Sequence, residues 1–261
     1  MTLKINEYLL DCRDNELATN TIKNYANTLK RLDTWLAGKP LTKESLIEYK
    51  LSLKESGHYK LTTLNQKITA INIYLNWDNK STLILKQFRH QTTVHRESIN
   101  QNEYHRLLKY SDGELRLLIL TIGNTGLRIS EVCALKKSDL EGRVISVENK
   151  GKTRSVAIPV FVKKQLKRFM LGKQDDAIIF CKTQSWYRKE LKSLSEPARI
   201  KKSKIYPHSL RHYFAKQFIK NGGDSTELQQ MLGHASIQTT TIYTHMDPNE
   251  LSDKFREIHN V

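Results

Sequence analysis

Long apolar runs are missing from this chain of 261 residues. No stretch approaches the roughly 20 consecutive apolar residues that cross a bilayer, so no membrane-spanning helix is expected. The opening residues, Met1-Thr2-Leu3-Lys4-Ile5-Asn6-Glu7, carry no extended apolar region, and no signal peptide is expected. Cysteine is scarce: Cys12, Cys133 and Cys181 are far apart, odd in number, and form neither a C-x-x-C pair nor a zinc spacing. That excludes a disulfide framework and suits buried or free thiols in a reducing cytosol, so a cytoplasmic location is expected. Internal repeats and low-complexity tracts are also lacking, which excludes solenoids and composition-driven disorder.

Acidic residues are in short supply. Against 27 Asp and Glu stand 43 Lys and Arg, a formal net charge of +16. Like charges repel within a folded chain, so an excess of this size points to a polyanionic partner. Nucleic acid fits better than an anionic membrane surface; a merely basic soluble protein is the plainer alternative.

The length suits one large domain or two modest ones. Residues 1–90 read as helical, with no convincing strand. Leu3, Leu9, Leu10 and Leu17 open the region. Thr19 or Asn20 caps a second helix whose apolar face runs from Ile22 through Leu29 to Leu36 and which Gly38 and Pro40 end. Thr42 caps a third helix, which stops near Gly57, and a fourth spans about Leu61 to Trp77. These make a small four-helix bundle. The charged segment Lys86 to Arg96 reads as an interdomain linker, with residues 91–96 set as the boundary between the two domains. It lies along phosphates or is simply solvated.

Residues 97–261 read as mixed α/β. Helices are expected near Asn102–Tyr110, Glu114–Asn124, Ile129–Leu135, Phe161–Leu171, Trp186–Leu194, His208–Asn221 and Ser225–Leu232, and from Pro248 to Ile258. Two β-branched runs, Arg143–Glu148 and Thr153–Ile158, flank Asn149-Lys150-Gly151-Lys152 and read as a hairpin with a basic turn. The fold class is therefore mainly α with one small β-sheet.

Four stretches hold residue types that suit chemistry. In Pro207-His208-Ser209-Leu210-Arg211-His212, His208 and Arg211 share a helix face beside first-turn amides, a good place for a phosphate. A solvated basic helix start is the alternative. His208 and His212 have the i, i+4 metal spacing, but no carboxylate follows as in zinc proteases, and no metal is expected. In Thr125-Gly126-Leu127-Arg128-Ile129-Ser130-Glu131, Arg128 in the first helical turn can aim a planar fork at a phosphate, with Glu131 holding it; an ordinary surface ion pair is the alternative. Lys150 and Lys152, at the hairpin tip, can protonate a leaving oxygen or sit idle in solvent. The last stretch, Leu232 to His245, ends a helix at Gly233, places His234 after it and carries Tyr243. A tyrosine must be activated to attack phosphorus, since its free pKa is about 10; otherwise it is a core residue.

Read together, Arg128, Lys150, His208-x-x-Arg211, His234 and Tyr243 resemble the tyrosine recombinase (phage integrase) family. The matching strings are TGLRISE from Thr125, NKGKTR from Asn149, HSLRH from His208, LGHASIQTT from Leu232 and IYTH from Ile242. The resemblance is strong over 97–261; residues 1–90 match the family's core-binding domain only in size and helical character.

The resemblance implies roles. Arg128 and Arg211 would clamp the scissile phosphate, and Lys150 would act as general acid toward the leaving 5′-oxygen. His208 would be an acid/base group, His234 a phosphate ligand, and Tyr243 the nucleophile of a 3′-phosphotyrosine. No cofactor and no metal would be needed. The partner would be double-stranded DNA, with four copies assembling on two recombination sites, in a Xer-like or mobile-element enzyme. Asn149 stands where the family often has glycine, and the turn is compressed, so Lys152 stays open as the general acid. The apolar face of Leu251, Phe255 and Ile258 either packs on a neighbouring copy or folds back. Two other functions stay in view: a type IB topoisomerase-like relaxation of supercoils, and non-catalytic DNA binding on the same scaffold.

Overall fold

The computed structural model describes residues 3–89, 97–142, 144–149 and 152–233. The chain divides into two units, residues 1–94 and 95–261.

The first unit is built from α1 (Ile5–Asp14), α2 (Thr19–Leu36), α3 (Lys43–Glu55) and α4 (Leu61–Trp77). Leucines spaced at 29, 32 and 36 put one stripe of α2 into the core, where Leu46 and Tyr49 of α3 and Ile68, Ile71 and Leu75 of α4 meet it. Each such side chain contributes about 1.5–3 kcal/mol on burial. The start of α2 differs from expectation. Ala18 is its N-cap, with no side-chain capping bond. The helix begins one residue early, so Thr19 is already inside its first turn. Thr42 does cap α3, exchanging bonds with Ser45 in a capping box.

Residues 86–88 are not linker. The Asn65 amide brackets Phe88, donating to its carbonyl at 3.0 Å and accepting its N–H at 2.9 Å. Lys50 donates to the Lys86 carbonyl at 2.6 Å and lies 4.4 Å from the Phe88 ring centre. Composition could not show this, because a polar segment with one aromatic looks solvated until α3 and α4 supply its partners. The expected linker boundary, 91–96, lies outside the described residues.

The second unit contains α5 (Gln101–Lys109), α6 (Gly113–Thr125), α7 (Ile129–Val132), the strands β1 (Val144–Asn149) and β2 (Lys152–Ala157), α8 (Val160–Phe169), α9 (Gln184–Ser193), α10 (Pro207–Lys220) and α11 (Ser225–Leu232). Helix α6 is apolar nearly all round and is the buried axle: Leu118, Ile119 and Ile122 are fully inaccessible, and α5, α7, α8, α9 and α10 pack about it. The two strands pair antiparallel, with Asn149 opposite Lys152 and Val147 opposite Arg154.

Helix α7 stops at Val132 rather than Leu135. The Leu135 carbonyl accepts the Ile179 N–H at 2.9 Å, and Lys136 bridges to Ile178, so tertiary pairing ends the helix early. The helix expected over 248–258, and with it the face of Leu251, Phe255 and Ile258, lies outside the described residues. Among the described residues, no helix is long and apolar enough to cross a membrane, and Cys12, Cys133 and Cys181 are free thiols.

Candidate active site

The site starts with a turn that only glycine fits. Gly126 ends α6 at φ +66°, and a Cβ there would stand 2.5 Å from a Phe214 ring carbon and 2.7 Å from a Leu232 methyl. Without a side chain, the end of α6 lies directly against α10 and α11. The sequence then turns through Leu127 and enters α7 with Arg128 as the N-cap residue in an extended conformation, one position earlier than the first-turn place expected for it.

Arg211 projects from the second turn of α10, whose start Pro207 fixes as the first helical residue. Its guanidinium is buried, the residue only 3% exposed. One nitrogen donates to the Gly126 carbonyl at 2.6 Å and another to the Leu232 carbonyl at 2.7 Å. Arg128 reaches the same place from the other side, donating to the Gly233 carbonyl at 3.4 Å. The two arginines therefore converge on the end of α11, where Gly233 takes the left-handed conformation at φ +62° and closes the helix.

Glu131 does more than a surface ion pair. It is 5% exposed. Its carboxylate accepts the Arg128 main-chain N–H at 2.7 Å and the Arg128 guanidinium at 2.9 Å. It also accepts both terminal nitrogens of Arg154, each at 2.8 Å. Burial alone would raise this carboxyl's pKa, but the hydrogen bonds and charge of Arg154 and the donors of Arg128 outweigh it and hold the pKa at about 2. Glu131 is an anion at any working pH.

His208 lies at the start of α10 and still reaches solvent. Its pKa falls below the usual 6.5, first through desolvation and then through repulsion by Arg211, Arg128 and Arg188. The imidazole is thus neutral at pH 7 and able to accept a proton.

Sequence reading gave Arg154 no role, although it closes the NKGKTR string. Its signal was strand alternation: Val156 and Ile158 face the core, and Arg154 shares their parity, opposite the buried Val147. An arginine at an inward position needs a buried acceptor, and Glu131 is that acceptor. Of the expected site residues, Arg128, His208 and Arg211 are brought together, while Lys150, His234 and Tyr243 lie outside the described residues. Burial pushes the phenols of Tyr8, Tyr49, Tyr74, Tyr104, Tyr187 and Tyr213 upward, away from the anion that attack on phosphorus needs. Among the described residues, no three His, Cys, Asp or Glu side chains gather as a metal site would require.

The model of the phage integrase family matches residues 97–250, more than half of the chain and all of the site just described. The chain is a tyrosine recombinase of that family. The recombinase is 28% identical over 250 residues to tyrosine recombinase XerA of Pyrococcus furiosus, covering 90% of this chain and 86% of that one. It is 29% identical over 282 residues to tyrosine recombinase XerD of Oceanobacillus iheyensis, with coverage of 94% and 92%. Among solved structures, a XerA recombinase aligns over 97% of this chain and 98% of its own at 27% identity, with a TM-score of 0.54. The Tn1549 transposon integrase, in complex with circular intermediate DNA, aligns over 99% and 100% at 20% identity with a TM-score of 0.76, which shows a shared fold. The mainly helical architecture with one small sheet is the fold of this recombinase family.

Proposed function

We propose that this recombinase cuts and rejoins double-stranded DNA at specific sites through a 3′-phosphotyrosine at Tyr243. The observation that carries the reading is the convergence of Arg128 and Arg211 on the end of α11. Leu232 and Gly233, whose carbonyls Arg211 and Arg128 reach, lead directly into His234, nine positions before Tyr243.

In the proposed reaction the Tyr243 oxygen attacks phosphorus, and its proton passes to an acceptor for which the neutral His208 is suited. The two arginines stabilise the extra negative charge on the pentacoordinate phosphorus, and His234 adds a donor to it. The bond from phosphorus to the 5′-oxygen breaks, and Lys150 gives that oxygen a proton. One phosphodiester has become another, so its energy is retained. A 5′-hydroxyl from a partner strand reverses the step without ATP. Charge neutralisation comes from side chains, so the scheme calls for neither metal nor cofactor.

Residues 1–90 would serve as a core-binding domain and 97–261 as the catalytic domain, joined by 91–96. Four copies would assemble on two sites, because recombination exchanges four strands. The net charge of +16 favours phosphate contact and a steep loss of binding with salt. A DNA-acting enzyme with free thiols fits the cytoplasm.

Covalent capture tests the reading whatever the target sequence is. The full chain is incubated with a randomised library of nicked duplexes, washed under denaturing conditions, and the retained DNA sequenced. Recovery of one sequence family, attached through a 3′-phosphate, is expected. Recovery of nothing covalent, with ordinary binding intact, would leave a DNA-binding protein and end the enzymatic reading. Plasmid relaxation without a recovered site would move it to a topoisomerase.

A further inference from the structure

The buried carboxylate of Glu131 is shared between two arginines, and only one of them belongs to the proposed reaction. Arg128 donates to both oxygens, through its side chain at 2.9 Å and its main chain at 2.7 Å. Arg154 donates to the same two oxygens at 2.8 Å each. A carboxylate has about four lone-pair sites, and these two arginines supply four donors to them. Arg154 presents the parallel, planar pair of donors that fixes the plane of a carboxylate.

Arg154 is itself fixed at a third point. Its Nε donates to the Met231 carbonyl at 2.9 Å, in the last turn of α11. Its stem runs past Gly233, where a Cβ would stand 2.9 Å from the Arg154 Cδ, so the missing side chain is what admits it. One guanidinium thus ties β2, α7 and the end of α11 together. It does so two positions from Lys152 and four from Lys150 on the same hairpin.

We infer that Arg154 is a positioning residue for strand cleavage: it locks the Glu131 carboxylate that aims Arg128. The inference rests on the recombinase reading above. It differs from a purely structural clasp in one consequence. The effect of Arg154 on the chemistry passes through Glu131 to Arg128, so once Arg128 is gone, losing Arg154 adds little. A lysine cannot take its place, because one ammonium cannot reach two carboxylate oxygens and a carbonyl in a fixed plane.

The test uses the full-length chain and the nicked duplex recovered by covalent capture. Single-turnover adduct formation is measured at saturating protein, with affinity by gel shift and folding by thermal melting. Arg154→Ala is expected to slow adduct formation about 10²-fold, the scale of a lost oriented donor, with affinity changed by no more than about threefold. Arg154→Lys, which keeps the charge, is expected to recover no more than about a tenth of the lost rate. The double variant Arg128→Ala/Arg154→Ala should be within about threefold of Arg128→Ala alone, the sign of a shared pathway.

Rate losses that multiply in the double variant, or affinity that falls as far as rate, would overturn the inference. So would a failure of both Arg154 variants to melt cooperatively, since Arg154 would then be a structural pillar only. Wild-type chain that forms no adduct on any library duplex would sink the recombinase reading and this inference with it. Wild-type adduct alongside an undiminished Arg154→Ala would sink this inference alone.

Discussion

The two units differ in where they bury polarity. In the first, the buried polar side chains among the described residues are Thr28 and Ser45, both neutral, and its amides Asn65 and Asn72 serve to bind neighbouring backbone. In the second, the buried set includes Glu103, Glu131 and Arg211. Burying an ionised group costs several kcal/mol unless it is well paired, and apolar replacements are often no less stable. Among the described residues the first unit buries no ionised side chain as deeply as Glu131 or Arg211; Asp78, whose side chain is 9% exposed, pairs there with Lys80. Glu103 caps α5, but Glu131 and Arg211 gather where α6 and α11 end, and that placement is explained by chemistry. Arg211 holds its fork on two carbonyls, and Glu131 holds Arg128 and Arg154.

That contrast can be broken, beginning with its strongest member. Arg211→Ala should slow adduct formation about 10³-fold, the upper range for removing one transition-state donor. It should leave DNA affinity far less affected. Equal losses in rate and affinity would reduce Arg211 to a ground-state phosphate contact.

Lys150→Ala should slow the same step about 10²-fold, as the loss of a general acid does, and more than Lys152→Ala. A substrate whose leaving 5′-oxygen is replaced by sulfur needs no proton donor and should restore the rate. If Lys152→Ala proves the slower variant and the one rescued, the general acid is Lys152.

Glu131 gives the next effect, on stability. Its pKa of about 2, against 4.5 when unfolded, means that the folded state binds its proton less readily. The resulting stabilisation, about 3 kcal/mol, is fully present above pH 4.5 and is lost as pH falls through about 2. Chemical denaturation of Glu131→Gln between pH 2 and 5 should show a flatter pH dependence than the wild type. An unchanged slope would place the acid sensitivity elsewhere. The smallest effect belongs to the first unit. Asn72 brackets Leu85 at 2.8 and 2.9 Å, so Asn72→Ala should cost about 1–3 kcal/mol of stability. The adduct rate on bound duplex should stay unchanged.

How much the sequence disclosed follows the range of each signal. Helix α4 and helix α11 were legible to the residue, because periodicity and terminal residues are local. The end of α7 was not, since Ile179, 44 positions after Leu135, decides it. Phe88 read as linker because its partners, Asn65 and Lys50, lie on helices whose packing no local pattern shows. The motif strings located Arg128, His208 and Arg211; NKGKTR ends on Arg154 but gave it no role, because its partners are 23 positions before it and 77 after. A three-way contact at such separations leaves only the faint trace of one charged residue on an inward strand face.

The central claim concerns which atom holds the DNA. After covalent capture, nuclease trimming and proteolysis, mass spectrometry of the linked peptide gives that atom. A nucleotide 3′-phosphate on the phenolic oxygen of Tyr243 is predicted, with nothing linked in Tyr243→Phe. A nucleotide attached to any other side chain, or an undiminished adduct in Tyr243→Phe, would contradict it.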